Sequence, residues 1–174
     1  MNEIKLVQPN IKYKKSFLEF VKDVKKTGYE SYPLYVKAEE DFEVFVAEQE
    51  DLSKGINIPE DWVPYNSYWL VDINEKVIGV IRVRHRVDSV YLETKGHIGY
   101  EIKSSYRRKG YGQRILELGL IEASKIGLEN VLITCREDNT GSRRMIEKCN
   151  GKHKKSFDIE GLEVKLFQYE VQTY

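Results

Sequence analysis

The segment Gly96–Gly127, GHIGYEIKSSYRRKGYGQRILELGLIEASKIG, constrains the fold of this chain more than any other. Its opening, GHIGYEI, sets Ile98, Tyr100 and Ile102 against Gly99 and Glu101, the alternation of a strand over Gly96–Ile102. Three basic residues, Arg107, Arg108 and Lys109, then meet two glycines. Leu116, Gly119, Leu120, Ala123 and Ile126 follow at helical spacing until Gly127 stops the helix. NVLITC, from Asn130, reads as a short buried strand. A strand–helix–strand unit of this kind implies one parallel strand pair at the centre of a sheet.

The flanking segments extend that sheet. EIKLVQP reads as a first strand closed by Pro9. Phe17, Phe20, Val21 and Val24 mark a helix within Ile11–Lys26, and AEEDFEVFVAEQEDL reads as a second helix with Phe42, Phe45 and Val46 in its stripe. The loop SKGINIPEDWVPYNS carries Trp62 and Tyr65, aromatics that either pack over the core or line a pocket. Ser67–Ile73 and Val77–Val87 form a hairpin turning at Asn74-Glu75. In its second strand Arg82, Arg84 and Arg86 alternate with Ile81, Val83 and His85. The arginine row reads as a solvated face, with a patch for an acidic substrate or partner as the alternative. DNTGSRRMIEKC reads as a helix capped by Asp138 or Asn139, and the tail as a hairpin turning near Glu160-Gly161.

A chain of 174 residues suits one core, so a single domain over 1–174 is expected. Its formal net charge of zero argues against nucleic acid as a partner. No apolar run approaches the roughly 18 residues of a membrane span, so no membrane partner is expected. MNEIKLVQPN lacks the apolar region of a signal peptide, which points to a cytoplasmic location. Cys135 and Cys149 make no metal-ligand spacing and read as free thiols in a reducing compartment; no metal is expected.

A strand that turns through glycines into a helix presents unpaired N–H groups and the positive end of the helix dipole in one direction. Such a place binds phosphate or pyrophosphate, and the adjacent basic residues add forked donors. A nucleotide P-loop is excluded because Gln113-Arg114 stands where Lys-Ser or Lys-Thr would be needed. A dinucleotide fingerprint fails because Ile115 stands at its third glycine. A plain helix start with fortuitous basic neighbours remains the competing reading of the hexamer alone.

RRKGYG, Arg107–Gly112, resembles the Arg/Gln-x-x-Gly-x-Gly/Ala signature of the GNAT superfamily of N-acetyltransferases. GHIGYEI stands where that family's central strand would be, and NVLITCREDNTGSRRMIEK resembles its following strand and helix. DWVP, YWLV, GVIRVRH and HIGY further look like a bacterial branch of predicted acetyltransferases. The resemblance is strong over Ser67–Lys148 and topological elsewhere. It implies a mixed α/β (α+β) fold: a mostly antiparallel central sheet of about seven strands flanked by about four helices, with a central β-α-β acyl-CoA-binding unit.

By that resemblance Arg107, Arg108, Lys109, Gly110, Tyr111 and Gly112 would hold the pyrophosphate of acetyl-CoA, the co-substrate. The pantetheine arm would pair with main-chain groups near Ile102 and Ser104. Asn139 and Ser142 would lie beside it, although Asn139 is equally a plain helix cap. The implied reaction is acetyl transfer to a primary amine of a small molecule or peptide by direct attack on the thioester. An ammonium of ordinary pKa near ~10.4 must first lose its proton. His97 is the candidate base, directly or through water, and equally fits a structural strand residue. Many relatives place a tyrosine acid where this chain has Ile146; Tyr106 or Tyr100 are substitutes. That departure keeps open an acyl-CoA-binding or sensing domain with little turnover. An exposed edge of the last hairpin would suit a homodimer.

Overall fold

Tyr65–Asp72 and Val77–Arg84 are buried along nearly their whole length because both of their faces are covered. The computed structural model describes residues 3–28, 31–161 and 163–174. Within them run β1 (Ile4–Val7), α1 (Lys14–Lys26), α2 (Val36–Glu40), α3 (Phe42–Lys54), β2 (Tyr65–Asp72), β3 (Val77–Arg84) and α4 (Val90–Lys95). They are followed by β4 (Ile98–Ile102), α5 (Tyr111–Lys125), β5 (Asn130–Arg136), α6 (Thr140–Lys148), β6 (Lys152–Phe157) and β7 (Leu166–Gln172). The mixed α/β architecture and its seven strands are as expected. α4 was not foreseen, and the second predicted helix is two. Asp41 adopts an extended backbone and its carboxylate caps the Val44 N–H at 3.1 Å, which starts α3 afresh.

The strands form two sheets, ordered β1-β2-β3-β4 and β5-β7-β6, and each neighbouring pair is antiparallel. One face of the first sheet packs on α1, α2 and α3. There Trp69 stacks on Phe17 with ring centroids 4.1 Å apart, among Phe20, Phe42 and Phe45. The other face sets Leu70, Ile78 and Ile81 against Ile115, Leu116 and Leu120 of α5. Gly119 lets α5 approach: a Cβ there would run into the side chain of Ile81. The outer edge of the second sheet is β6, whose Lys152, Lys154 and Lys155 are of the kind that resists edge-to-edge pairing.

The expected parallel pair is not a ladder. Among the described residues β4 and β5 meet at a single bridge between Gly96 and Ile133. His97 N–H donates to Leu132 O at 2.6 Å, and the Leu132 N–H is taken by His97 Nδ1 at 2.9 Å. A side-chain nitrogen thus takes the donor that a next strand carbonyl would take in a continued ladder. Gly96, at φ 68°, is needed there because a Cβ would sit 2.5 Å from Leu132 O. β4 accordingly begins at Ile98, two residues later than expected, and from that bridge the two sheets part.

Candidate active site

The parting of β4 from β5 opens a cleft of about 600 Å³. Ile98–Glu101 of β4 line one side and Thr134–Arg136 of β5 the other. Lys103 N–H donates to Ile78 O at 2.9 Å and His97 O accepts the Arg84 N–H at 2.8 Å. The odd-numbered residues of β4 therefore turn their backbone to β3. Those of Ile98, Tyr100 and Ile102 turn theirs into the split, where β4 is the edge of its sheet. An extended ligand lying in the split would add as a strand to that edge.

Beyond Ile102 the chain makes one 3-10 turn and enters the basic glycine loop. Arg107, Arg108, Lys109 and Gly110 are exposed. Gly110 is the N-cap of α5 at φ 86°, with no side-chain capping bond, and the first helical donation recorded is Arg114 N–H to Gly110 O at 3.2 Å. The N–H groups of Tyr111 and Gly112 precede it, at the positive end of a 15-residue helix. Arg108 also takes a left-handed backbone, φ 57°. Two left-handed residues around Lys109 curl the loop into a concave run of amides suited to an anion. Arg107 braces the loop by donating Nε to Ile102 O at 3.1 Å, and Lys109 by donating Nζ to Ser105 O at 2.7 Å. Gly112 leaves room for Met145 of α6, whose sulfur a Cβ would strike. Uncapped amides, exposed cations and a free strand edge fit a pyrophosphate joined to an extended amide-bearing arm.

Asn139 and Ser142, expected beside that arm, both line the cleft, and Asn139 also caps α6 by accepting the Ser142 N–H at 3.0 Å. The two readings of Asn139 are compatible. Arg107–Gly112 lie outside the cleft lining, past the end of β4. Ser104 is turned to α1: its N–H donates to Asp23 Oδ2 at 2.7 Å and its hydroxyl to Asp23 Oδ1.

Of the arginine row only Arg86 is solvated, where it pairs with Asp88; Arg82 and Arg84 are covered. Arg82 is 7% exposed, because its side of β3 is covered by the segment that carries Tyr35. Its Nη2 lies 2.5 Å from Glu101 Oε1 and its Nη1 donates to the Tyr35 hydroxyl at 2.5 Å. Burial works against the Arg82 cation, and the Glu101 carboxylate and the Tyr35 oxygen together more than offset it. Burial likewise pushes the Tyr35 phenol well above its ordinary pKa, so it stays protonated and donates to Glu101 Oε2 at 3.0 Å. Arg84, half-buried, donates Nη1 to Gly96 O at 3.1 Å and also lines the cleft. Pro33, Leu34, Trp62 and Tyr65 complete the wall on this side, the Trp62 and Tyr65 rings 6.0 Å apart.

The sequence reading missed the Tyr35–Arg82–Glu101 group. Its signal is the apolar run on either side of Arg82, VIGVIRV, which marks a strand buried on both faces. His97 is not among the lining residues. Burial, then the charge of Arg84, lowers its pKa from 6.5, and with Nδ1 accepting from Leu132 the neutral ring carries its proton on Nε2. Ile146 is fully buried in the core under α5. Tyr106 donates its hydroxyl to Asp72 at 3.3 Å, away from the cleft. Cys135, half-buried in the lining, is pushed up to about 11 by burial and is no thiolate at neutral pH.

Residues 29–151 match the family described as Acetyltransferase (GNAT) family. Solved structures share the fold at low identity. The microcin self-immunity acetyltransferase MccE, in complex with acetyl-CoA and AMP, superposes with a TM-score of 0.72 at 16% identity, covering 99% of this chain and 93% of that one. RimL, a ribosomal-protein alpha-N-acetyltransferase solved with coenzyme A, gives 0.71 at 13% identity over 98% and 94%. A GNAT-family acetyltransferase from Bacillus anthracis gives 0.66 at 20% identity over 99% and 96%. No curated protein sequence matches the chain.

Proposed function

The chain belongs to the GNAT acetyltransferase family, and on that premise we propose that it moves an acetyl group from acetyl-CoA to a primary amine of a small molecule or peptide. The observation that carries this reading is the split between β4 and β5, which holds a walled pocket, with the free edge of β4 leading through one 3-10 turn to the uncapped N-terminus of α5. Acetyl-CoA supplies the activated acetyl thioester. Arg107–Gly112 hold its pyrophosphate with backbone N–H groups and charge. Tyr100 and Ile102 pair with its extended arm, with Asn139 and Ser142 on the far side. An N–H of β4 aimed into the split stabilises negative charge developing on the thioester oxygen.

The acceptor ammonium enters from the side of Trp62 and Tyr65. Glu101 is the β4 carboxylate that lines the cleft there, and it takes the ammonium proton, directly or through water. Arg82 and Tyr35 hold it in place. His97, the candidate from sequence, has its Nδ1 lone pair committed to Leu132, so the reading assigns it to shaping the split. A thiol of ordinary pKa near ~8.5 leaves without an acid at position 146.

Calorimetric titration with acetyl-CoA, followed by an assay of thiol release across a panel of amines, tests this. Micromolar binding that Gly110→Trp abolishes, with amine-dependent release, is expected. Binding without turnover of any amine would leave an acyl-CoA-binding domain in its place.

A further inference from the structure

We propose that Asp23 of α1 is a positioning residue for acetyl-CoA: its carboxylate caps the turn from which the basic glycine loop springs, and so sets that loop against the split. The inference rests on the acetyltransferase reading. It adds to that reading a residue from a helix that contributes nothing to the cleft lining.

The turn is the first observation. Ser104–Tyr106 joins β4 to the loop, and Lys103, its N-cap, makes no side-chain capping bond. The first N–H of such a turn needs a partner from outside it. Asp23, 81 residues away, supplies one: Oδ2 accepts the Ser104 N–H at 2.7 Å and Oδ1 accepts the Ser104 hydroxyl. Two bonds to one half-buried carboxylate fix the turn in direction as well as in place. One helical turn earlier Glu19 lies 3.8 Å from Lys103 Nζ, an exposed pair that contributes little.

The loop hangs on this turn. Arg107 N–H donates to Ser104 O at 3.2 Å, and Lys109 Nζ donates to Ser105 O at 2.7 Å. Arg107 Nε reaches back to Ile102 O at 3.1 Å. A displacement of Ser104 is therefore passed to Arg107 and Lys109. Through the left-handed residues Arg108 and Gly110 it reaches the amides of Tyr111 and Gly112. Donors held in place before the ligand arrives lose less freedom on binding it.

The location of the charge is the second observation. Asp23 lies in the last turn of α1, at the negative end of the helix dipole, and its partner stands three residues ahead of Arg107. A carboxylate there is unfavourable for the helix and for an incoming pyrophosphate alike. What it gains is the pair of bonds to Ser104. The opposition makes the sign of the effect decisive. By charge alone, removing the carboxylate tightens acetyl-CoA binding; by positioning, it weakens it.

The test is calorimetric titration of the intact protein with acetyl-CoA, well below the melting temperature of each variant. Asp23→Ala is expected to raise Kd about 10-fold. Asp23→Asn removes the same charge but keeps an oxygen for the Ser104 N–H, and should recover Kd to within about 3-fold of the wild type. Ser104→Ala loses only the hydroxyl bond and should also raise Kd about 3-fold. The double variant Asp23→Ala with Ser104→Ala should bind no more weakly than Asp23→Ala alone. Binding by Asp23→Ala as tight as the wild type, or tighter, overturns the positioning role and leaves the coenzyme reading standing. Losses that add in the double variant overturn it too, because the two residues then act separately. Absence of acetyl-CoA binding by the wild type overturns both this role and the acetyltransferase reading. If Asp23→Ala fails to fold, Ser104→Ala decides, and an unchanged Kd there overturns the proposal.

Discussion

Glu101 holds two partners from different elements: Arg82 Nη2 at 2.5 Å from Oε1, and the Tyr35 hydroxyl at 3.0 Å from Oε2. The group ties β4 and β3 to the segment leading into α2, and it sits where the acceptor face of the cleft meets the core. Taking one charge from a buried pair leaves the other uncompensated. Glu101→Gln is therefore expected to lower unfolding free energy by about 3–5 kcal/mol. Tyr35→Phe strands one hydrogen-bonding position and should cost about 1–3 kcal/mol. Replacing both charges with Arg82→Met and Glu101→Leu is expected to recover most of the single-mutant loss. Urea denaturation at pH 7 reads all three. A loss below about 1 kcal/mol for Glu101→Gln would mean that water reaches the pair in solution.

The same substitution separates structure from chemistry. If Glu101 takes the acceptor proton, Glu101→Gln lowers kcat by about 10²–10⁴-fold at neutral pH while acetyl-CoA affinity is unchanged. The pH–rate profile of the remaining activity should rise with the free-amine fraction of the acceptor. An unchanged kcat would move the proton to bulk water and leave Glu101 a positioning residue.

His97 makes a prediction about pH. Its folded-state pKa lies below 6.5, through burial and then Arg84, so the folded protein binds fewer protons than the unfolded chain as pH falls. The stabilisation is therefore full above pH 6.5 and is lost as pH drops from 6.5 through the folded value. Protonation at Nδ1 would also set a proton against the Leu132 N–H. His85 is lowered in the same direction, by burial first and then Arg86. Stability should fall from pH 7.5 to 5.5, and His97→Gln should flatten part of that slope, as seen in denaturation midpoints across the range. An identical slope in the variant would place the titration elsewhere.

The strands, their order along the chain and the glycine start of α5 were legible because each is written in local pattern: alternation in GHIGYEI, periodicity after Gly112, glycine at the helix mouth. What local pattern cannot show is which elements close on each other. The periodicity of β3 says that Arg82 and Arg84 share a face, and only the return of Tyr35 over that face decides that Arg82 is buried. The parallel pair implied by the strand–helix–strand order is replaced by one bridge, because a histidine side chain competes with a backbone carbonyl for the Leu132 N–H. Such competition depends on a contact 35 residues apart in sequence. Asp41, in contrast, carried a cap signal that a longer apolar stripe concealed.

Position 146 is where the resemblance implied a tyrosine acid, and the geometry speaks against restoring one. Ile146 is fully buried, packs in the core under α5, and leaves no room for a Cβ at Gly151. Ile146→Tyr is expected to cost about 1–3 kcal/mol by overpacking and to bring no gain in kcat. Thermal melts and steady-state assays on the variant check both. A tenfold higher kcat with unchanged stability would show that the α6 helix turns this face toward the cleft.

The loop prediction separates backbone freedom from anion binding. Gly110 caps α5 at φ 86°, so any other residue is strained there, by roughly 1–2 kcal/mol. Gly110→Ala should lower stability by about that amount while acetyl-CoA still binds, since the amides of Tyr111 and Gly112 remain at the helix end. Gly110→Trp adds bulk where the pyrophosphate would lie and should abolish binding with a similar loss of stability. Arg107→Gln and Arg108→Gln should weaken binding less, and the affinity of the wild type should fall as salt rises, because exposed cations are screened. Calorimetry at two ionic strengths reads these together. Equal binding by wild type and Gly110→Trp would place the coenzyme away from this loop, and with it would go the assignment of Arg107–Gly112 as its anchor.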